Sequence, residues 1–362
     1  MKFKCLVLFA LLMSGCQNSG KETTVPEGQE AWTLTGFVKA DSINPILEPD
    51  SGQVFTCPVA GGEVRWEERN VLNPSAVVRD GRVYLIYRAQ DNRMTSRIGL
   101  AISDDGLHFK KEAEPVLYPD NDGMKQYEWP GGVEDPRIVE SEDGNYILTY
   151  TAYDGKTARL CLASSRDFRT WEKHGLVLGE GKYRDTWSKS GAIVSRLEDG
   201  KIVAARINGL YWMYFGDTDL FMASSGDLIH WEVAENSESG KMISVLHPRP
   251  GYFDSRLVEP GPYALVRDQG ILLIYNASNA ANNNDPGLPR FTYAAGQALF
   301  DRERPYRLTG RTDSFFIFPD KPYELTGEVN NVCFVEGMVY FNYKWFLYYG
   351  TADSRIAAAV RE

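Results

Sequence analysis

Four stretches of this chain place polar or charged side chains just ahead of an apolar run. They are Asn73-Pro74, Glu134-Asp135-Pro136-Arg137, Lys189-Ser190 and Glu259-Pro260-Gly261-Pro262. Two of them carry carboxylates. A pair of carboxyl groups can run acid–base chemistry: one protonates a leaving oxygen while the other attacks carbon or activates water opposite it. Cleavage of a glycoside needs both roles. Taken singly, an acid in such a place is as easily a turn or cap residue. The recurrence of the pattern separates these stretches from isolated motifs. Histidine is a weaker candidate. His108 and His230 hold equivalent places in a repeat, and His174 and His247 lie in turns. No Ser-His-Asp arrangement, His-Glu-x-x-His motif or phosphate-binding glycine loop is present. Asn284-Asp285-Pro286-Gly287 reads as a turn.

The elements that must position these residues are strands. Ser, then Asp, then an aromatic residue recurs in Ser103 to Phe109, Ser165 to Trp171 and Ser225 to Trp231, with Asp301 to Leu308 as a degenerate fourth copy. The copies lie about 60 residues apart, a period that marks a repeat architecture. Upstream of the copies, paired apolar runs pivot on Asp80-Gly81, Asp143-Gly144, Asp199-Gly200 and Gln269-Gly270, and a last pair pivots on Glu336-Gly337. Asp-Gly between alternating apolar runs is a strong hairpin signal. The hairpins fall in residues 73–112, 134–175, 189–234, 261–311 and 330–362. Helical periodicity is weak throughout. The reading is an all-β fold, a five-bladed β-propeller, with residues 31–72 completing the last sheet. A pair of β-sandwiches is the competing architecture. In a propeller the inner strands line a central funnel, and the four polar stretches begin those strands.

The chain has 362 residues, of which 43% are hydrophobic, enough for a sizeable core. A formal charge of −10 argues against a nucleic-acid partner. Eight Trp and twenty Tyr suit stacking on the C–H faces of sugars, although all-β cores also favour aromatics. Cys57, Cys161 and Cys333 are far apart and read as buried free thiols, not as a disulfide framework or a zinc site. Nothing in the sequence calls for a metal or cofactor. Residues 1–16 read as a lipoprotein-type signal peptide. Lys2 and Lys4 precede a short apolar run, Leu6 to Met13, and Ser14-Gly15-Cys16 follows. A plain secretory signal is the alternative. A lipid on Cys16 would be the only attachment to a membrane. Residues 17–30 read as a flexible tether and 31–362 as one propeller domain. The expectation is an exported bacterial protein of the periplasm or outer membrane.

Asn73-Pro74-Ser75, Tyr87-Arg88-Ala89, Gly132-Val133-Glu134-Asp135-Pro136-Arg137 and Tyr348-Tyr349-Gly350-Thr351-Ala352-Asp353 together resemble glycoside hydrolase family 130. The resemblance runs from about Asn73 to the C-terminus. That family comprises β-mannoside phosphorylases and β-1,2-mannosidases. The resemblance implies a five-bladed propeller, an inverting mechanism and a mannose-containing oligosaccharide as substrate. It implies Asp135 as the proton donor and Asp353 as a ligand of the mannosyl unit. With the polar stretches above, it makes Asn73, Arg88, Glu134, Arg137, Lys189 and Tyr349 the other candidate substrate-binding residues. Phosphorylases of the family hold phosphate with cations and a His, whereas hydrolases need a carboxylate base. Arg88 and Lys189 resemble two of those cations. Tyr275-Asn276-Ala277 stands where phosphorylases show Tyr-His-Gly, and Glu259 stands where they show a small residue before the proline. An anionic Glu259 repels phosphate and can deprotonate water. Export points the same way, because a sugar phosphate is useful only where it can enter metabolism. The expectation is an inverting, exo-acting β-mannosidase for β-1,2 linkages, with Asp135 as acid and Glu259 as base. A phosphorylase yielding mannose 1-phosphate and a non-catalytic glycan-binding propeller are the alternatives.

Overall fold

Strands dominate the computed structural model, which describes residues 31–362. The signal segment, the tether and Cys16 lie outside the described residues. Five antiparallel meanders follow one another. The first runs Asn70–Arg79, Arg82–Gln90, Ser96–Ser103 and Lys110–Lys111. The second runs Gly132–Glu140, Tyr146–Tyr153, Ala158–Ser165 and Glu172–Leu176. The third is interrupted: Ala192–Glu198 pairs with both Lys201–Ala204 and Leu210–Phe215, and Phe221–Ser225 and Trp231–Val233 follow. In the fourth, Leu257–Pro260 and Ala264–Arg267 share the partner Gly270–Ser278, before Tyr293–Phe300 and Leu308–Arg311. The fifth has Cys333–Phe341, Lys344–Thr351 and Arg355–Arg361 from the C-terminus. Its fourth strand is Val38–Lys39, paired Val38 to Val360 and Lys39 to Ala359, so the segment before residue 72 completes this sheet. The fold is all-β.

Local chemistry explains the repeat. Ser103 Oγ accepts the amide N–H groups of Asp105 and Gly106, and Asp105 Oδ1 accepts those of Leu107 and His108. Ser165 with Asp167 and Ser225 with Asp227 repeat this turn. Asp301 keeps its aspartate half, accepting from Glu303 and Arg304. Short polar side chains capture backbone donors in this way wherever a strand must turn. A second repeat lies inside the sheets. The hydroxyl of Tyr87 donates to Glu67, that of Tyr150 to Glu128, that of Tyr275 to Asp254 and that of Tyr349 to Glu324. Each buried acid also takes a cation from the fourth strand of its meander: Lys111, Lys173, Arg311 and Lys39 respectively. A buried carboxylate is tolerable only when paired and hydrogen-bonded, and these four are both.

One expected turn is not a turn. Glu336-Gly337 lies within the strand Cys333–Phe341, where the pairing register shifts between Val335 and Gly337. The hairpin turns instead at Asn342-Tyr343, with φ of 48° and 64°. Gly337 is there because a Cβ would meet the Pro74 carbonyl oxygen at 2.8 Å. The glycine marks close approach of two meanders, which in sequence looks the same as a turn. Cys57, Cys161 and Cys333 are buried free thiols.

Candidate active site

The site begins with two β-bulges. Asn73 and Asp135 sit at register shifts in the first strands of the first and second meanders, with φ of 47° and 48°. Asn and Asp tolerate the left-handed region better than other side chains, and a bulge re-aims the side chain it carries. The two side chains meet: Asn73 Nδ2 donates to Asp135 Oδ1 at 2.7 Å. The glycines before Asp135 serve approach, since a Cβ on Gly132 would meet the Ser96 carbonyl oxygen at 2.2 Å. Gly350 does the same for Asn73, whose Oδ1 would lie 2.7 Å from a Cβ there.

Around Asp135 the structure gathers Asn73, Arg88, Lys189, Glu259 and Asp353 into the wall of one cavity of about 130 Å³. Arg88 lies 3.0 Å from Asp135 and 2.6 Å from Glu134, and its Nε donates to Ser96 Oγ. Lys189 Nζ bridges Asp135 Oδ2 at 3.1 Å and Glu259 Oε1 at 3.2 Å. Those two oxygens therefore lie no more than about 6.3 Å apart. That upper bound falls just below the roughly 6.5–9.5 Å of inverting carboxyl pairs. Ser190, at φ 60°, turns its hydroxyl to donate to Glu259 Oε1. A wider surface groove of about 840 Å³ is lined by residues between 114 and 180, away from these groups.

Burial and charge oppose each other here. Burial acts to raise Asp135, but Lys189, Arg88 and Arg137 and the Asn73 bond hold its carboxyl well below the usual range. Burial pushes Glu259 up, against the pull of Lys189 and Arg137. Burial likewise pushes Asp353 up to about 6, with Arg88 opposing it. In this arrangement Asp135 is the more acidic of the two carboxyl groups and Glu259 the less acidic.

Not every expected residue reaches the cavity. Tyr349 is fully buried and its hydroxyl is committed to Glu324. It is the fifth meander's copy of the Tyr–acid–cation unit, and strand alternation leaves Gly350, not Tyr349, facing Asn73. Arg137 also stands behind the wall. It donates to the carbonyls of Asp135, Pro260 and Gly261, tying together the strands that carry Asp135 and Glu259, and it pairs with Glu336 at 2.9 Å. Glu134 is held beside Arg88 and Ser96. Asn276 spends its amide on the backbone of Val335. Sequence reasoning missed Tyr293 and Phe334, which also line the cavity, and named Ser190 and Glu336 without giving either a role in the site. Ser190 follows Lys189 directly and was within reach. Glu336 was hidden by its reading as a turn. Arg137→Met should cost about 3–5 kcal/mol of stability, because Glu336 then stays buried without its counter-charge. Urea unfolding measures this, and a second change, Glu336→Gln, should restore part of the loss.

Comparison with known proteins identifies the family. A family model described as beta-1,4-mannooligosaccharide phosphorylase, of glycoside hydrolase family 130, matches residues 39–362. A 1,2-beta-oligomannan phosphorylase of Thermoanaerobacter sp. (strain X514) is 30% identical, across 90% of this chain and 97% of its own. A crystal structure of a glycosyl hydrolase from Bacteroides ovatus is 41% identical with a TM-score of 0.90, covering 92% of this chain and 96% of that one. A further structure with the same identity, TM-score and coverage carries the statement that the family of mannoside phosphorylases "contains glycoside hydrolases that target beta-1,2 mannosidic linkages in Candida mannan". With a match across nearly all of the described chain and these relatives on either side of the hydrolase–phosphorylase divide, the chain belongs to glycoside hydrolase family 130.

Proposed function

We propose that the chain is an inverting glycosidase that removes mannose from β-1,2-mannosides, and that its meanders are the blades of a five-bladed propeller with the cavity at the funnel mouth. The observation that carries this is Glu259, a buried carboxylate in the cavity wall, within reach of Lys189 and bonded to Ser190. Arg88 and Lys189 are already matched by Glu134, Asp135 and Glu259, with Asp353 beside them. An entering phosphate meets no surplus of positive charge there. A neutral water does not need one.

In this mechanism Glu259 takes a proton from water as the water oxygen attacks the anomeric carbon. The bond from that carbon to the glycosidic oxygen breaks, and Asp135 supplies the proton that leaves the departing sugar as a neutral alcohol. The product is α-mannose. One turnover leaves Asp135 ionised and Glu259 protonated. The pair must therefore exchange a proton before the next turnover. We extend the proposal to the N-terminus: export as a lipoprotein, held to a bacterial membrane by a lipid on Cys16.

The second reading is phosphorolysis, favoured by the names of the curated relatives. Incubation with β-1,2-mannobiose, with and without inorganic phosphate, separates the two. Equal release of mannose in both arms supports hydrolysis; mannose 1-phosphate formed only with phosphate overturns it. Binding without any product supports a glycan-binding propeller instead. Asp353 gives a further expectation. Its ionised form accepts hydrogen bonds from sugar hydroxyls, and that form is lost as pH falls through about 6. KM should rise below that pH, and Asp353→Asn should abolish the dependence.

A further inference from the structure

Trp187 is half-exposed, at 51%, yet it is not free to move. Its indole Nε1 donates to Asp217 Oδ2 at 2.9 Å, and its ring stands edge-on to Tyr153 at 6.3 Å and 69°. An exposed aromatic is ordinary; one fixed by a hydrogen bond and a T-shaped contact has already lost the freedom that binding would otherwise remove. Its place is also specific. Trp187 lies two residues before Lys189, whose carbonyl accepts the N–H of Gly216, next to Asp217. Tyr153 pairs with Gly132, three residues before Asp135. All three residues thus lie at the end of the strands where Asp135 and Lys189 enter the cavity. The Asp217 carboxylate is close enough to act on both the Lys189 ammonium and Glu259.

We propose that Trp187, held by Asp217 and Tyr153, is the stacking platform of a subsite outside the cleavage point, which binds the pyranose ring of the leaving group. This rests on the mannosidase reading and deepens it. The cavity takes the sugar that is released; Trp187 takes the one that departs. An indole face matches the C–H face of a pyranose, and Asp217 fixes which face is presented.

The test compares β-1,2-mannobiose with β-mannosyl fluoride, whose leaving group has no ring. Trp187→Ala should lower kcat/KM for mannobiose about tenfold, mostly through KM, and leave the fluoride unchanged, while Trp187→Phe should recover most of the loss. Wild-type behaviour on mannobiose, or equal loss on both substrates, overturns the subsite. Failure of the unaltered enzyme to turn over either substrate overturns the mannosidase reading itself, and the subsite with it.

Discussion

Glu259→Gln should lower hydrolysis of β-1,2-mannobiose by about 10²–10⁴-fold, the usual worth of a positioned general base. The protein should still fold, because the amide keeps its shape and can accept from Ser190 and Lys189 as the carboxylate does. Folding is checked by the melting temperature. The loss alone does not identify a base, so the variant is given another nucleophile. Azide needs no deprotonation, and with β-mannosyl fluoride it should restore turnover and yield α-mannosyl azide. A variant near wild-type activity removes Glu259 from the mechanism. A dead variant that azide does not rescue makes Glu259 a support for Lys189 only.

Asp135→Asn should fall by a similar factor on mannobiose, about 10²–10⁴-fold. The loss should be far smaller on 2,4-dinitrophenyl β-mannoside, whose leaving group departs without a proton. The pH profile sharpens this. The unaltered enzyme should give a bell, because the reactive form has Asp135 protonated and Glu259 ionised. Activity falls below the lower macroscopic pKa of the pair and above the higher one. In Asp135→Asn with the activated substrate the basic limb should vanish, since no acid remains to lose its proton. The acidic limb should persist, because Glu259 must still ionise. Equal losses on both substrates would assign Asp135 to binding and not to proton donation.

Much of this site is written in local sequence. Asn73-Pro74 and Asp135-Pro136 announce irregular backbone at the start of an apolar strand, and the bulges are there. The Ser-Asp turns are legible because their bonds span two or three residues. What was not legible depends on partners far along the chain. Tyr349 reads as part of a site motif, but its role is set by Glu324 and by Lys39, over 300 residues away. The sequence did hold a signal for this: Tyr87, Tyr150, Tyr275 and Tyr349 fall at matching places in four meanders, which marks a scaffold position. Glu336 was read as a turn because Gly337 follows it, and a glycine demanded by close packing cannot be told from one demanded by a turn. Arg137 looked like a ligand for substrate because it closes the Glu-Asp-Pro-Arg motif. Its donors are instead spent on Pro260 and Gly261, a partnership that only the meeting of the second and fourth meanders creates. The difference in acidity between Asp135 and Glu259 was also out of reach, since it follows from Arg88 and Asn73 lying against Asp135.

The central claim is that water, not phosphate, attacks beside Glu259. The direct measurement is turnover of β-1,2-mannobiose in H₂¹⁸O with inorganic phosphate present, followed by mass spectrometry and early-time NMR of the released sugar. The account predicts free mannose carrying ¹⁸O at C1, formed first as the α-anomer. Unlabelled mannose 1-phosphate as the released product would contradict it.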